Sequence, residues 1–238
     1  MHYEAGVGHI GGNLSCLDIL LTLYHQVLGP DDKFVLSKGH AAGALYVALW
    51  SVGKLTDEDL QQFHKDGTRL SGHPAPNSLP DIPFATGSLG HGLSLSAGLA
   101  LAKQLRHEPG RIYCLLSDGE WQEGSTWEGL VFAAHHRLPL TLIVDKNGLQ
   151  GFGSTTDVSG LDTFADKFRA FGVLTEEIDG HDPEAIAAAC RAHPAGLQAL
   201  VASTQKGSRV SFMAGKMEWH YLPLTEPLYR QALNDIAE

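Results

Sequence analysis

Five short apolar runs along the chain are typical of buried strands, and helical apolar periodicity fills the segments between them. The predicted strands cover residues 33–37, 111–116, 140–144, 173–178 and 198–203. The predicted helices cover residues 16–28, 41–52, 57–64, 93–106, 125–136, 163–171, 183–193 and 226–236. Alternating strands and helices of these lengths indicate an α/β fold, in which helices cover both faces of a parallel sheet. No composition break or internal repeat divides the chain, so we expect a single domain over residues 1–238.

Local signals predict where several elements begin and end. Residues 6–13 form a glycine-rich loop with no predicted element before it, so we expect any preceding helix to lie outside the numbered sequence. Ser15 is the predicted N-cap of the helix 16–28, and Thr56 that of the helix 57–64. Residues 66–83 contain four prolines and several Gly, Ser and Asn residues, which indicates a long ordered loop. Such loops within compact domains are commonly functional.

Composition and charge exclude several classes of partner. The sequence is 43% hydrophobic and 18% charged, which is typical of a globular protein, and no apolar run approaches the ~20 residues of a membrane span. We therefore expect a cytoplasmic protein. A formal net charge of −10 without runs of Lys or Arg argues against a nucleic-acid partner. Cys16, Cys114 and Cys190 lie far apart, which favours buried thiols over disulfide or metal roles.

Polar side chains follow two of the predicted strands. Asp118 comes after the strand 111–116, and Asn147 comes after the strand 140–144. They are 29 positions apart, about one strand-helix-strand crossover, so we expect them on neighbouring strand ends. Carboxylate and amide oxygens suit Mg²⁺, which often takes further ligands from water and substrate phosphates. Asp-Gly and Asn-Gly are also common turn pairs, so either alone favours a plain turn, and the two together favour a metal–diphosphate site.

Histidine is unusually frequent, with 13 copies. His9, His40, His73 and His91 each follow a glycine. Because glycine lets a backbone approach a ligand closely, the set predicts a ligand-binding region, although a single loop histidine is more often a surface residue. The glycine-dense turn 85–92 opens a predicted helix, which suits anion binding through backbone N–H groups.

Several motifs carry a resemblance to a known family. Asp118-Gly119 and the later Asn147 resemble the thiamine diphosphate-binding motif, which is Gly-Asp-Gly followed by Asn, with Ser117 standing here in place of the first Gly. Over nearly its whole length the chain is similar to the amino-terminal half of transketolase, in the form found as a separate subunit. The further matching segments are GHIGG at 8–12, LSKGH at 36–40, SGHP at 71–74, TGSLGHG at 86–92, GSRVSFM at 207–213 and EWH at 218–220.

The resemblance implies roles for individual residues in holding a cofactor. Asp118, Asn147 and the backbone carbonyl of Leu149 would hold Mg²⁺, for which Ca²⁺ or Mn²⁺ could substitute. The residues implied to contact thiamine diphosphate are His40, Gly87, Leu89, Ser117, Asp118, Gly119, Asn147 and His220. His40 and His220 would hydrogen-bond the diphosphate.

The resemblance also implies catalytic roles. His9 and His73 would line the substrate channel near the reacting carbons, and His220 would act with them. His91 stands where transketolases often have Gln, and it would hydrogen-bond near the cofactor or the substrate. Glu123 matches an acidic residue at the subunit contact, within a network that reaches the other active site.

The implied reaction transfers a two-carbon ketol group from a ketose donor to an aldehyde acceptor. Thiamine diphosphate supplies the electron sink, and imidazoles suit the proton transfers. The substrates would be sugars or sugar phosphates; Pro-Ala-Pro-Asn at 74–77 and His91 indicate a specialised acceptor. A thiamine enzyme also needs a pyrimidine-binding domain, for which 238 residues leave no room. We therefore expect the partner to be a C-terminal transketolase subunit, in an α2β2 heterotetramer.

Other functions fit parts of the pattern. The α subunit of a 2-oxo acid dehydrogenase component has the same cofactor half without the run of Gly-His pairs, and a 1-deoxyxylulose-phosphate synthase-like enzyme has similar support. A Mg²⁺-dependent phosphohydrolase could use Asp118 as nucleophile or ligand. A catalytically silent partner is the last alternative, and the intact set of Asp118, Asn147, His40 and His220 argues against it.

Overall fold

Five parallel strands form one sheet in the computed structural model, which describes residues 1–76, 79–160, 163–192 and 196–237. The strands are β1 (Lys33–Leu36), β2 (Ile112–Ser117), β3 (Leu140–Lys146), β4 (Leu174–Asp179) and β5 (Gln198–Ser203). Their order across the sheet is β1-β2-β3-β5-β4, and every neighbouring pair is parallel. The predicted α/β class and the parallel sheet are confirmed.

Helices connect and cover the strands. They are α1 (His2–Ala5), α2 (Ile10–Thr22), α3 (Ala42–Ser51), α4 (Asp57–Gln61), α5 (Gly92–Arg106), α6 (Gly124–His135), α7 (Thr155–Ser159), α8 (Phe164–Ala170), α9 (Pro183–Arg191) and α10 (Glu226–Ala237). Short 3-10 turns cover Gly39–Ala41, Gly119–Gln122 and Met217–His220. In the described part of the chain, no helix has the length and apolar character needed to cross a bilayer.

The core lies on both faces of the sheet, because alternate residues of each strand point to opposite sides. Tyr113 and Leu115 of β2 pack with α2, α3 and α9, whereas Cys114 and Leu116 pack with α5, α6 and α8. All four side chains are fully buried. Nearly continuous apolar strands of this kind are expected when helices cover both faces of a sheet. The three cysteines are free and buried, as predicted.

The first long helix differs from its prediction. It begins at Ile10 rather than at residue 16, and its last turn is a π-helical segment, Leu23–Val27. Ser15 is therefore inside the helix and does not cap it. The short helix α1 also precedes the glycine-rich segment, for which no preceding element is predicted. Gly11 is accommodated within α2 because a Cβ there would lie 3.0 Å from the carbonyl oxygen of Trp219.

Smaller differences lie at element ends. Strand β3 continues two residues beyond its predicted end at 144, and α4 ends at Gln61, well before 64. Thr56 caps α4 as predicted, in a reciprocal capping box with Asp59. Residues 66–76 and 79–83 contain no helix or strand, in agreement with the predicted loop. Asn77 and Ser78 of that loop, and His193 at the end of the predicted helix 183–193, lie outside the described residues.

A buried ion pair ties the first strand to the centre of the sheet. Lys38, just after β1, donates to the carboxylate of Asp145 in β3, and the two side chains are 1% and 0% exposed. Asp145 also accepts hydrogen bonds from Ser15 at 2.6 Å and from Thr204. Lys38 keeps the pKa of Asp145 below its ordinary value although burial acts in the opposite direction. The pair is therefore charged and well compensated.

We expect Asp145→Asn to lower the free energy of unfolding by about 3–5 kcal/mol, because it leaves the Lys38 ammonium buried without its counter-charge. The matched control is Asp81→Asn, which removes the exposed partner of Lys54 and should cost less than about 1 kcal/mol. Urea unfolding of both variants measures the difference. Equal losses in the two variants would show that the buried pair contributes no more than a surface pair.

Candidate functional site

The carboxyl ends of β2 and β3 open into a cavity of about 200 Å³. Ser117 pairs with Asp145 in the sheet, so Asp118 and Asn147 follow neighbouring strand ends, as predicted. The cavity is lined by Gly12, Lys38, His40, Leu89, Ser117, Asp118, Gly119, Asn147, Leu149, Gln150, Gly151, Phe152, Lys206, His220 and Tyr221. Crevices at the carboxyl edge of a parallel sheet are the usual ligand sites of open α/β folds.

Asp118 is fixed by the backbone around it. Its side chain is 2% exposed, and its Oδ2 and Oδ1 atoms accept hydrogen bonds from the N–H groups of Gly148 at 2.6 Å and Gly119 at 2.8 Å. Burial, followed by the nearby Asp145 charge, raises the pKa of Asp118 to about 6. A positioned carboxylate that is costly to ionise alone suits a cation, because a cation would favour its charged form.

Two further oxygens lie on the loop after β3. The side-chain Oδ1 of Asn147 accepts from the N–H of Leu149 at 3.1 Å, and the carbonyl oxygen of Leu149 lies 3.3 Å from Nζ of Lys206. Among the described residues, no group of three or more His, Cys, Asp and Glu side chains could hold a metal. A metal here would therefore depend on one carboxylate, one amide and one carbonyl, a set that fits Mg²⁺.

The donors in the cavity suit an anion. Lys206 is 2% exposed, and burial together with the charge of Lys38 lowers its pKa to about 8. The Nε2 atom of Gln150 is buried and has no hydrogen-bond partner among the residues that the structure describes. Two buried ammonium groups and an unpaired amide donor fit the phosphate oxygens of a diphosphate.

Glycine allows the turn 86–89 to approach the cavity closely. Gly87 has φ of 140°, and a Cβ there would lie 2.6 Å from the ring of His73. A Cβ on Gly39 would lie 2.7 Å from the backbone nitrogen of Gly87, so both glycines are required by this contact. Leu89 lies at the end of the turn and lines the cavity.

Four of the predicted histidines form a cluster. The ring centroid of His9 lies 5.6 Å from that of His40, 6.4 Å from that of His73 and 5.2 Å from that of His220. Burial is the largest cause that lowers the pKa of each: His220 reaches about 3, and His40 is held well below its ordinary value. The rings are therefore neutral near pH 7, and each has one donor and one acceptor nitrogen.

His220 is held from both sides. The preceding Trp219 is buried and donates through Nε1 to the carbonyl oxygen of Phe212 at 3.0 Å. The carbonyl oxygen of His220 accepts from the N–H of His9 at 3.0 Å, which joins the two histidine segments. Nζ of Lys206 lies 2.9 Å from Nδ1 of His220. Since the ammonium can only donate, Nδ1 is the acceptor and Nε2 bears the proton of the neutral ring.

Glu120 is a buried carboxyl beside the site that sequence reasoning did not identify. Its side chain is 0% exposed and accepts hydrogen bonds from Ser37, from the N–H of Ser117 at 2.9 Å and from the N–H of Gly90 at 3.2 Å. Burial raises its pKa. Glu120 thereby fixes the turn that contains Leu89 against the ends of β1 and β2.

His91 and Glu123 are not part of the cavity. Both are exposed; His91 lies at the N-terminus of α5 and Glu123 at the N-terminus of α6. Nδ1 of His91 lies 3.2 Å from the carbonyl oxygens of Ser88 and Leu89. Their predicted roles require contacts beyond this chain.

Sequence reasoning also missed Lys38, Lys206, Gln150 and Tyr221 as residues that line the cavity. Lys38 lies inside the LSKGH segment, and Lys206 directly precedes Gly207, so both lie in or next to segments that carry the family resemblance. A lysine within a glycine-rich loop beside a predicted phosphate site is the signal that could have found them. Gln150 and Tyr221 offered no comparable pattern.

Comparisons with known proteins identify the family. Residues 3–227 match the family described as "Transketolase, thiamine diphosphate binding domain". The chain is 37% identical to the 6-deoxy-6-sulfo-D-fructose transketolase subunit of a Clostridium species over 99% of this chain and 90% of that protein. It is also 37% identical to one of the subunits named for the apulose-4-phosphate transketolase of Phocaeicola vulgatus, over 99% and 88% of the two chains.

Solved structures agree with these relatives. The transketolase of Campylobacter jejuni superposes with a TM-score of 0.87 and is 28% identical, and that of Leishmania mexicana superposes with a TM-score of 0.88 at the same identity. The match covers 98% and 99% of this chain, but only 40% and 39% of those two. The chain thus spans less than half the length of the solved transketolases that it resembles.

We expect the buried histidines to make the chain sensitive to acid. The pKa of His220 is about 3 in the folded chain and about 6.5 when unfolded, so unfolding takes up a proton between these values and stability falls as the pH falls. In His220→Asn, the number of protons taken up on unfolding should decrease by nearly one in this window.

Urea unfolding at a series of pH values between 4 and 8 measures this proton uptake. Leu222→Ala, at an exposed and non-titrating neighbour, is the control and should keep the wild-type pH dependence. A slope in His220→Asn equal to that of the wild type would contradict a neutral His220 in the fold.

Proposed function

The chain belongs to the transketolase family, as its thiamine diphosphate-binding domain, and we propose that it is the diphosphate-binding subunit of a two-chain transketolase. The family reaction transfers a ketol unit from a ketose to an aldehyde. The single observation that carries the proposal is the cavity at the ends of β2 and β3, where Asp118 and Asn147 face two buried lysines.

The cavity would hold the diphosphate end of the cofactor. Asp118, Asn147 and the carbonyl of Leu149 would bind Mg²⁺, or Ca²⁺ or Mn²⁺ in its place. Lys206, with His40 and His220, would contact the phosphate oxygens. Ser117, Gly87, Leu89 and Gly119 complete the wall through backbone and apolar contacts.

The histidine cluster supplies proton transfer and hydrogen bonding. Thiamine diphosphate, when bound, provides the electron sink for cleavage of the bond beside the ketone. His9 and His73 lie together beside the cavity, and neutral rings can accept a proton from a substrate hydroxyl or donate one to a carbonyl oxygen. Nε2 of His220 is a donor because its Nδ1 accepts from Lys206.

A partner subunit completes the enzyme in this proposal. The relatives that this chain covers by 90% and 88% are named as subunits, whereas the solved transketolases with a single longer chain are covered by 40% or less. The partner would be a C-terminal subunit with the pyrimidine-binding domain, in an α2β2 heterotetramer. The exposed His91 and Glu123 would then lie at the contact between subunits.

Sugars or sugar phosphates are the proposed substrates. The two relatives are named for a sulfosugar and for a sugar phosphate, and both names describe substrates with an anionic group. The family match favours ketol transfer over the chemistry of a phosphohydrolase or of a 2-oxo acid dehydrogenase. The donor set of the cavity argues against a silent partner, because buried lysines without a ligand would only destabilise the fold.

We predict that Asp118→Ala abolishes Mg²⁺-dependent binding of thiamine diphosphate, measured by calorimetry on the complex of this chain with the product of the adjacent reading frame. Asp166→Ala is the matched control, since Asp166 is an exposed acid on α8 and should keep the wild-type affinity. Unchanged affinity in Asp118→Ala would refute the metal site. Phosphate release from simple phosphate esters without thiamine diphosphate would instead support the phosphohydrolase alternative.

A further inference from the structure

Two aromatic side chains stand exposed at the mouth of the cavity. Phe152 is 83% exposed and Tyr221 is 54% exposed, and both line the cavity. Single exposed rings are common on protein surfaces. A pair of them beside a ligand cavity is more informative, because binding sites combine apolar walls with a few placed polar groups. Tyr221 offers both, with an apolar ring and a phenolic hydroxyl.

Tyr221 is built into the wall by two glycines. A Cβ on Gly8 would lie 2.3 Å from the carbonyl oxygen of Tyr221, so the backbone of this residue fits closely against the loop before α2. At the other end of the residue, a Cβ on Gly151 would lie 2.2 Å from the phenolic oxygen. The side chain therefore reaches from the turn after His220 to the loop after Asn147, and it bridges one side of the mouth.

The ring lies beside the proposed catalytic histidines. Its centroid is 4.6 Å from that of His220 and 6.3 Å from that of His9, and both contacts are edge-on. In the described part of the chain, the phenolic hydroxyl has no hydrogen-bond partner. Any substrate whose reacting carbons lie next to His9 must extend past this ring toward solvent.

We propose that Tyr221 is a specificity-determining residue that narrows the substrate channel and selects acceptor aldehydes with a short carbon chain. This inference rests on the proposed function. The ring provides a rigid wall with only two rotatable bonds, and its position is fixed at both ends by the glycine contacts. The carbon atoms of a longer acceptor would meet the ring, whereas those of a short acceptor would end before it.

The test compares acceptors of different length in the reconstituted two-chain enzyme with thiamine diphosphate and Mg²⁺. β-Hydroxypyruvate serves as the donor, and the acceptors are glycolaldehyde, with two carbons, and D-ribose, with five. We expect Tyr221→Ala to raise the ratio of kcat/KM for ribose to kcat/KM for glycolaldehyde about tenfold or more, the effect typical of altered steric fit in a pocket. Tyr221→Phe keeps the ring and should change the ratio by less than about twofold.

Two controls separate specificity from damage to the site. Leu222→Ala alters the exposed neighbour that does not line the cavity, and it should leave the ratio unchanged. The affinity for thiamine diphosphate should stay within about threefold of the wild type in Tyr221→Ala. An unchanged ratio in an active Tyr221→Ala enzyme would overturn the inference but leave the proposed function intact. A wild-type complex that transfers ketol units to neither acceptor would overturn the proposed function itself.

Discussion

The buried ion pair between Lys38 and Asp145 is the interaction on which the rest of the site depends. Asp145 accepts hydrogen bonds from Lys38 after β1, from Ser15 in α2 and from Thr204 after β5, so one carboxylate joins three separate segments. Its backbone carbonyl also accepts from the N–H of Asp118 at 3.3 Å. Charges this deeply buried are tolerated only with complete compensation. That compensation fixes the floor of the cavity before any ligand arrives.

Much of the fold followed from the sequence because parallel strands covered on both faces leave a plain apolar signature. The pairing of Asp118 with Asn147 was predictable for the same reason, since crossover spacing places strand ends side by side. The structure also brings together His9, His40, His73 and His220. The loops that carry them were visible as Gly-His pairs for the first three, and through the family resemblance for His220.

Other features depend on tertiary contacts that no local pattern encodes. Ser15 resembles a helix cap in sequence, yet it lies within α2 because its hydroxyl has a buried partner 130 positions away. Glu120 and Lys206 are charged residues that local rules assign to the surface, and both are buried by contacts between loops. The bridging position of Tyr221 depends on glycines at positions 8 and 151, far from it in sequence.

The central claim is that this chain supplies the diphosphate half of a shared thiamine site. An experimental structure of the chain with its partner, thiamine diphosphate and Mg²⁺ tests it most directly. The account predicts a metal bound by Asp118, Asn147 and the carbonyl oxygen of Leu149, with the diphosphate against Lys206 and His220 and the pyrimidine ring in the partner subunit. A cofactor bound elsewhere, or a complete cofactor site within this chain alone, would contradict it.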